Sequence, residues 1–196
     1  TDIRQDMYFS GFFVQKGEQG MTERFSTKNM AGAALFLALG IVLPFFTGQI
    51  PTIGSMLLPM HIPVLICGYV CGWQWGLTVG LIVPLLRSVM FGMPPMMPVA
   101  AAMAFELAAY GAITGILYEK LEKNMVSIYV SLIGAMIGGR IVWGVVSMVL
   151  YGIMGNAFSV KIFLSGALLK AVPGIVLQIV LIPVIIVALR KAKVIK

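Results

Sequence analysis

The fold of this chain is decided by residues 58–91, LPMHIPVLICGYVCGWQWGLTVGLIVPLLRSVMF. One membrane crossing needs about 20 apolar residues, because an α-helix rises about 1.5 Å per residue and the hydrocarbon core is about 30 Å thick. A single helix over this segment would be about 51 Å long, which is too long for one crossing and slightly short for two. The placement of charged residues elsewhere in the chain decides how many times this segment crosses the membrane.

The composition is that of an integral membrane protein. Hydrophobic residues make up 60% of the chain and charged residues 11%, and the mean hydropathy is +1.00. Soluble globular domains carry about 25% charged residues. The 196 residues fit one membrane domain and leave no room for an attached soluble enzyme or nucleotide-binding unit.

Four further apolar stretches are long enough to cross a bilayer, at residues 29–47, 98–118, 126–152 and 163–189. Basic residues flank them in three clusters: Arg24 and Lys28; Lys120 and Lys123; Arg190, Lys191, Lys193 and Lys196. Basic loops stay in the cytoplasm, so both termini are predicted to be cytoplasmic and the number of crossings even. Residues 58–91 are therefore predicted to form two shorter helices that turn near residues 72–76. The sequence predicts an all-α bundle of six transmembrane helices.

The first 20 residues are polar and balanced in charge, and we expect them to be an upstream or cloning-derived extension outside the fold. The single transmembrane domain is predicted to occupy residues 21–196, as a multi-pass membrane protein. The net charge of +7 lies mainly in the helix-flanking clusters, so it reports membrane topology and does not predict a nucleic-acid partner.

Four ionisable residues fall inside the predicted spans: Arg87, Glu106, Arg140 and Lys170. Such a residue costs about 2.5 to 3.5 kcal/mol on insertion scales and marks a functional site by default. One carboxylate cannot neutralise three cations, so the excess predicts a ligand that carries a carboxylate or phosphate. Two alternatives remain open. Arg87 and Glu106 could pair with each other, which leaves Arg140 and Lys170 for the anion, or those two could bond backbone carbonyls near Pro173.

Further candidates for the ligand site lie near the same depth. They are Tyr110, Trp143, Asn156 and His61, although aromatic residues near a membrane interface are commonly anchors and a lone histidine between prolines is commonly a loop or cap residue. Residues 48–57 and 92–97 are predicted to form loops on the outer side, above these residues.

No pattern for catalysis, cofactor binding or metal binding is present. The sequence has no HExxH, no G-x-S-x-G and no glycine-rich phosphate loop, and Glu106 is the only carboxylate in a predicted span. Cys67 and Cys71 have the spacing of neither a metal pair nor a disulfide framework, and packing is expected. The alternative function is a proton-coupled secondary carrier of a small organic solute that uses Glu106 as its proton relay.

From Met21 onward the chain resembles the substrate-binding (S) components of energy-coupling factor (ECF) vitamin importers. The resemblance rests on ALFLA at residues 34–38, on the segment 58–80, on PLLRSVMFGMPP at 84–95 and on AMAFELAAYGAITGILY at 102–118. The GMPP and AMAFELAAYG elements are most similar to members thought to import pantothenate; hydroxymethylpyrimidine and riboflavin members are competing assignments.

The resemblance implies a multi-pass subunit of the bacterial cytoplasmic membrane that captures one vitamin outside and docks on a coupling transmembrane subunit with two ATPase subunits. It implies that Ala34 and Ala38 form the docking face on the first helix. It also implies a ligand site between the first loop and helices 4 to 6, at the depth where the charged residues fall.

Overall fold

Six α-helices make up the part of the chain that the structure, a computed structural model, describes: residues 26–46, 56–155 and 171–195. The helices are α1 (Thr27–Phe46), α2 (His61–Cys71), α3 (Trp73–Phe91), α4 (Ala101–Lys120), α5 (Met125–Ile153) and α6 (Val172–Lys191). An irregular turn, Met96–Ala100, leads into α4. These ranges contain no strand, and the predicted all-α membrane bundle is confirmed.

The segment 58–91 is divided into two helices by Gly72. This residue has φ +91°, a value that side chains strongly disfavour and glycine tolerates. The preceding helix, α2, has 11 residues and is almost entirely buried, whereas α3 has 19. The helix α2 is only about 16 Å long, too short to cross a bilayer by itself. The other five helices are long enough to do so. The predicted pair of shorter helices is therefore confirmed, with α2 enclosed by its neighbours.

Two contacts show that the described members of the three basic clusters lie at one end of the bundle. Lys28 Nζ at the start of α1 lies 3.5 Å from the carbonyl oxygen of Val194, near the end of the chain. Arg190 at the end of α6 donates to the carbonyl of Lys123 in the α4–α5 connection. The described helices thus make an even number of passes, as the charge pattern predicts. That this end faces the cytoplasm stays a prediction, and "outer" below denotes the opposite end.

Glycines bring α2, α3 and α4 into backbone contact. A Cβ built on Gly80 would lie 2.3 Å from the carbonyl oxygen of Leu107, and one on Gly111 would lie 2.2 Å from that of Gly76. Helices in lipid have no hydrophobic driving force to associate, and small residues at such crossings allow the close van der Waals packing that takes its place. Gly68 and Gly76 both lie against the carbonyl of Gly111 in the same way.

The remaining helices pack around this three-helix frame. Cys67 and Cys71 lie in the core next to α1, as free thiols, which agrees with the packing role predicted for them. At the outer start of α6, Gly174 lies against the backbone of Met56 and Leu57. Pro173 occupies the first turn of α6, where its missing N–H costs nothing.

Gly111→Ala tests the tight frame. The added methyl group would overlap the backbone of Gly76, and overpacking of this kind costs about 1 to 3 kcal/mol. We expect a lower thermal unfolding midpoint in detergent. Gly152→Ala is the control, because a Cβ there meets nothing within 4 Å. Equal midpoints for the two variants would contradict the close contact between α3 and α4.

Candidate functional site

A buried ion pair joins α4 to α5 in the centre of the candidate site. Arg140 Nη1 lies 2.9 Å from Glu106 Oε1, and the two side chains are 13% and 2% exposed. A buried charge is tolerated only with a partner, so each residue accounts for the presence of the other. The tight glycine packing of α4 fixes the position of the carboxylate, and α5 supplies the guanidinium.

His61 and Tyr110 complete the wall of the site around Glu106. His61 Nε2 lies 3.6 Å from Glu106 Oε1. The imidazole meets the Tyr110 ring edge to face, with centroids 5.1 Å apart, and both residues are about 1% exposed. His61 begins α2 and is buried in the bundle, so the reading of it as a loop or cap residue is wrong.

Several polar atoms of this cluster have no hydrogen-bond partner among the described residues. They are both ring nitrogens of His61, Nε and Nη2 of Arg140, and Oε1 of Glu106, whose contact with Arg140 Nη1 is an ion pair without hydrogen-bond geometry. The Nε and Nη2 groups lie on one edge of the guanidinium plane, the edge that binds a carboxylate or phosphate through two parallel hydrogen bonds. Buried donors of this kind are normally satisfied. The arrangement is therefore suited to hold an anionic group of a ligand beside the ion pair.

Arg87 does not pair with Glu106, and that alternative from the sequence is corrected. Arg87 Nη1 donates to the carbonyl oxygen of Ile41 in α1 at 2.6 Å. Its guanidinium also packs on the rings of Phe45 and Phe91. The helical rise placed Arg87 and Glu106 at similar depth, but a rise carries no information about which neighbouring helix each side chain faces.

The other predicted site residues divide into two groups. Trp143 lies on α5, half-buried, one turn beyond Arg140 toward the outer end. Lys170 and Asn156 lie outside the described residues, as do positions 48–55 of the predicted outer loop. Their assignment to the site stays a prediction.

Gln178 is a buried polar residue that the sequence analysis missed. It lies on α6, it is 1% exposed, and its Nε2 atom has no hydrogen-bond partner among the described residues. It is one turn inward from Gly174, which contacts the segment that leads to His61. The sequence did contain a signal for Gln178, because it is the only side chain with a hydrogen-bonding group between Lys170 and Arg190.

The face of α1 that carries Ala34 and Ala38 is exposed. Leu35 and Leu39 beside them are exposed as well. The opposite face packs into the bundle through Ala33 and two further residues, Gly40 and Pro44. A smooth apolar strip along α1 is thus open to lipid or to another membrane subunit.

A family model described as "ECF transporter, substrate-specific component" matches residues 28–186, from α1 to α6. This span is well over half of the chain. Neither the curated proteins nor the solved structures that were compared gave a significant match.

A double-mutant cycle tests the ion pair. Glu106→Gln and Arg140→Gln each leave one buried charge without its partner, a change that costs about 3 to 5 kcal/mol. The double variant leaves neither charge, so we expect it to unfold at a higher temperature than the sum of the single effects predicts. The coupling should be about 0.5 to 3 kcal/mol, measured by thermal unfolding in detergent. Additive effects would show that the two side chains do not interact.

Proposed function

This chain belongs to the substrate-specific components of ECF transporters, and from that premise we propose that it captures an anionic, pantothenate-like vitamin. The family implies capture of a micronutrient for import with an energy-coupling module. We place the capture step at the outer face of a bacterial cytoplasmic membrane. In this proposal the chain binds its substrate and performs no chemistry on it.

The free edge of Arg140 is the observation that supports an anionic ligand. Glu106 holds the guanidinium through Nη1, which leaves Nε and Nη2 oriented together and without partners. A ligand carboxylate can bind both nitrogens at once, and charge-assisted bidentate bonds are among the strongest polar contacts in proteins. Glu106 thus acts as a positioning residue for the cation, and the guanidinium is ordered before the ligand arrives.

The remaining polar atoms suit the rest of such a molecule. Pantothenate combines a carboxylate with an amide and two hydroxyl groups. His61 offers one ring nitrogen as a donor and the other as an acceptor, and Gln178 offers an amide N–H; all three atoms are buried and unpaired. A neutral pyrimidine would leave the Arg140 edge desolvated without an anion, so it is the less favourable ligand class.

The proton-carrier alternative is less favoured by the same geometry. A relay carboxylate must exchange its proton in every cycle, whereas Glu106 lies 2.9 Å from a guanidinium that keeps its charge. Each cycle would therefore break a buried ion pair. Uptake that persists without the ATPase subunits and stops when the proton gradient is removed would support the carrier.

Release into the cell requires a second state of the protein with lower affinity for the vitamin. A ligand can shift a conformational equilibrium only by its difference in affinity between two states. We propose that docking of α1 on a coupling transmembrane subunit selects the low-affinity state, and that ATP hydrolysis by two partner ATPase subunits resets it. The exposed strip that contains Ala34 and Ala38 supports α1 as the docking helix.

Ligand identity is tested by mass spectrometry of the small molecules released when the purified protein is denatured. We expect pantothenate or a close carboxylate analogue. Arg140→Lys keeps the positive charge but loses the paired N–H donors at Nε and Nη2. Its affinity for pantothenate, measured in nanodiscs, should therefore fall about tenfold to a hundredfold. The matched control is Arg190→Lys, at the basic end. Release of a neutral vitamin, or full affinity in Arg140→Lys, would refute the anionic assignment.

Lys170→Ala tests the second predicted cation. Its loss should weaken equilibrium binding of pantothenate, because a bond to a charged group contributes about 1.5 to 3 kcal/mol. Assembly with the partner subunits should be unaffected. Unchanged affinity would remove Lys170 from the site.

Docking is tested by placing two tryptophans on the α1 strip, Ala34→Trp with Ala38→Trp. Bulky rings should prevent close helix contact, so complex assembly and uptake should be lost while equilibrium binding is retained. The control is Val145→Trp with Val149→Trp, two exposed residues at the same spacing on α5. Normal uptake in the α1 variant would exclude this face.

A further inference from the structure

His61 is the only histidine of the chain, and packing holds its ring in one place at the start of α2. Its main-chain N–H donates to the carbonyl oxygen of Leu58 at 3.0 Å, which fixes the backbone where the helix begins. The imidazole is 1% exposed and meets the Tyr110 ring at an interplanar angle of 83°. Neither ring nitrogen has a hydrogen-bond partner among the described residues. Both nitrogens of an ordered ring are thus available to the site.

Glu106 determines which ring nitrogen carries the proton. A neutral imidazole has one N–H donor and one acceptor, and the protonated nitrogen is assigned from the groups that the ring faces. His61 Nε2 lies 3.6 Å from Glu106 Oε1. A lone pair on Nε2 would oppose two acceptors in a medium of low polarity, where an unfavourable polar contact is costly. The favoured form therefore carries its proton on Nε2 and leaves Nδ1 as an acceptor.

The charges around the ring favour its neutral form. Arg140 Nη1 lies 2.9 Å from Glu106 Oε1, so the carboxylate is already balanced by a cation. No ionisable side chain lies between residues 172 and 189 of α6. The ligand carboxylate is assigned to Arg140 and to the predicted second cation, Lys170. A proton added to the imidazole would therefore be a buried charge without a counter-ion of its own, which is strongly disfavoured.

We propose that His61 is a specificity-determining residue whose Nδ1 atom accepts a hydrogen bond from a hydroxyl or amide N–H group of the ligand. The inference rests on the proposed function and deepens it by fixing the direction of the bond at each ring nitrogen. A ligand carbonyl against Nδ1 would oppose two acceptors, so the site rejects molecules that present one there. Sites that require a particular polar group reject analogues without it far more strongly than an apolar pocket rejects a missing methylene.

The state of the ring is measured by NMR. Histidine labelled with a heavy nitrogen isotope reports on His61 alone if the purification tag contains no histidine, because the chain has one histidine. The two nitrogens of a neutral imidazole give widely separated signals, whereas those of a charged ring lie close together. In nanodiscs we expect a neutral ring with its proton on Nε2, and a shift of the Nδ1 signal when pantothenate binds. A charged ring in either state, or a proton on Nδ1, would overturn the proposal.

Two variants of His61 separate the roles of its nitrogens. The amide of asparagine reaches the position of Nδ1, and that of glutamine reaches the position of Nε2. His61→Gln therefore keeps a donor toward Glu106 but loses the acceptor for the ligand, so its affinity for pantothenate should fall about tenfold to a hundredfold. His61→Asn, which can present an acceptor at the Nδ1 position, should lose less. Equal affinities in the two variants, or tighter binding by His61→Gln, would contradict the role of Nδ1.

Three analogues of pantothenate identify the ligand donor: one methylated at the amide nitrogen, and two with hydrogen in place of one or the other hydroxyl group. The analogue without the donor that Nδ1 binds should lose about tenfold in affinity for the parent protein. The loss should be much smaller in His61→Gln, where the acceptor is already absent. Losses that are equal in the parent protein and in His61→Gln for all three analogues would exclude the contact. If the parent protein binds no pantothenate, the proposed ligand fails, while NMR of the free protein still decides which nitrogen carries the proton.

Discussion

Hydrocarbon cannot solvate a charge, and the bundle is arranged around that constraint. Each charged side chain buried among the described helices contacts a group on a different helix. Glu106 on α4 meets Arg140 on α5, and Arg87 on α3 meets the carbonyl of Ile41 on α1. Because an unpaired charge at this depth costs several kcal/mol, these contacts also specify which helices are neighbours. The charges therefore define helix pairing as well as function.

Between these polar links, glycine contacts make a frame that has little freedom to deform. Gly76, Gly80 and Gly111 let α3 and α4 meet backbone to backbone, and α2 joins them through Gly68. His61, Glu106 and Tyr110 all belong to this frame, whereas Arg140 belongs to α5. The free edge of Arg140 thus belongs to a helix outside the frame, which packs on α4 through Gly138 and Gly139 and is joined to it by the ion pair.

The sequence predicted the number and order of the helices because length and charge placement are one-dimensional properties. The break at Gly72 followed from a segment too long for one crossing and from basic clusters that must share one side. The partners of the charged residues could not be predicted in this way, because the depth of a residue along a helix does not determine which neighbouring helix its side chain faces. Arg87 and Glu106 have similar depth but face different helices.

The partners found for the two arginines alter the charge balance of the ligand site. Arg87 is used by α1, and Arg140 is neutralised by Glu106, so the described residues leave no excess of positive charge at the pair. A ligand carboxylate that binds Arg140 would add one negative charge to a neutral pair in a medium of low polarity. A second cation must face that carboxylate if the complex is to be stable. Lys170 is the remaining basic residue predicted within a span, so its proposed role is that of this second cation, and that role stays a prediction.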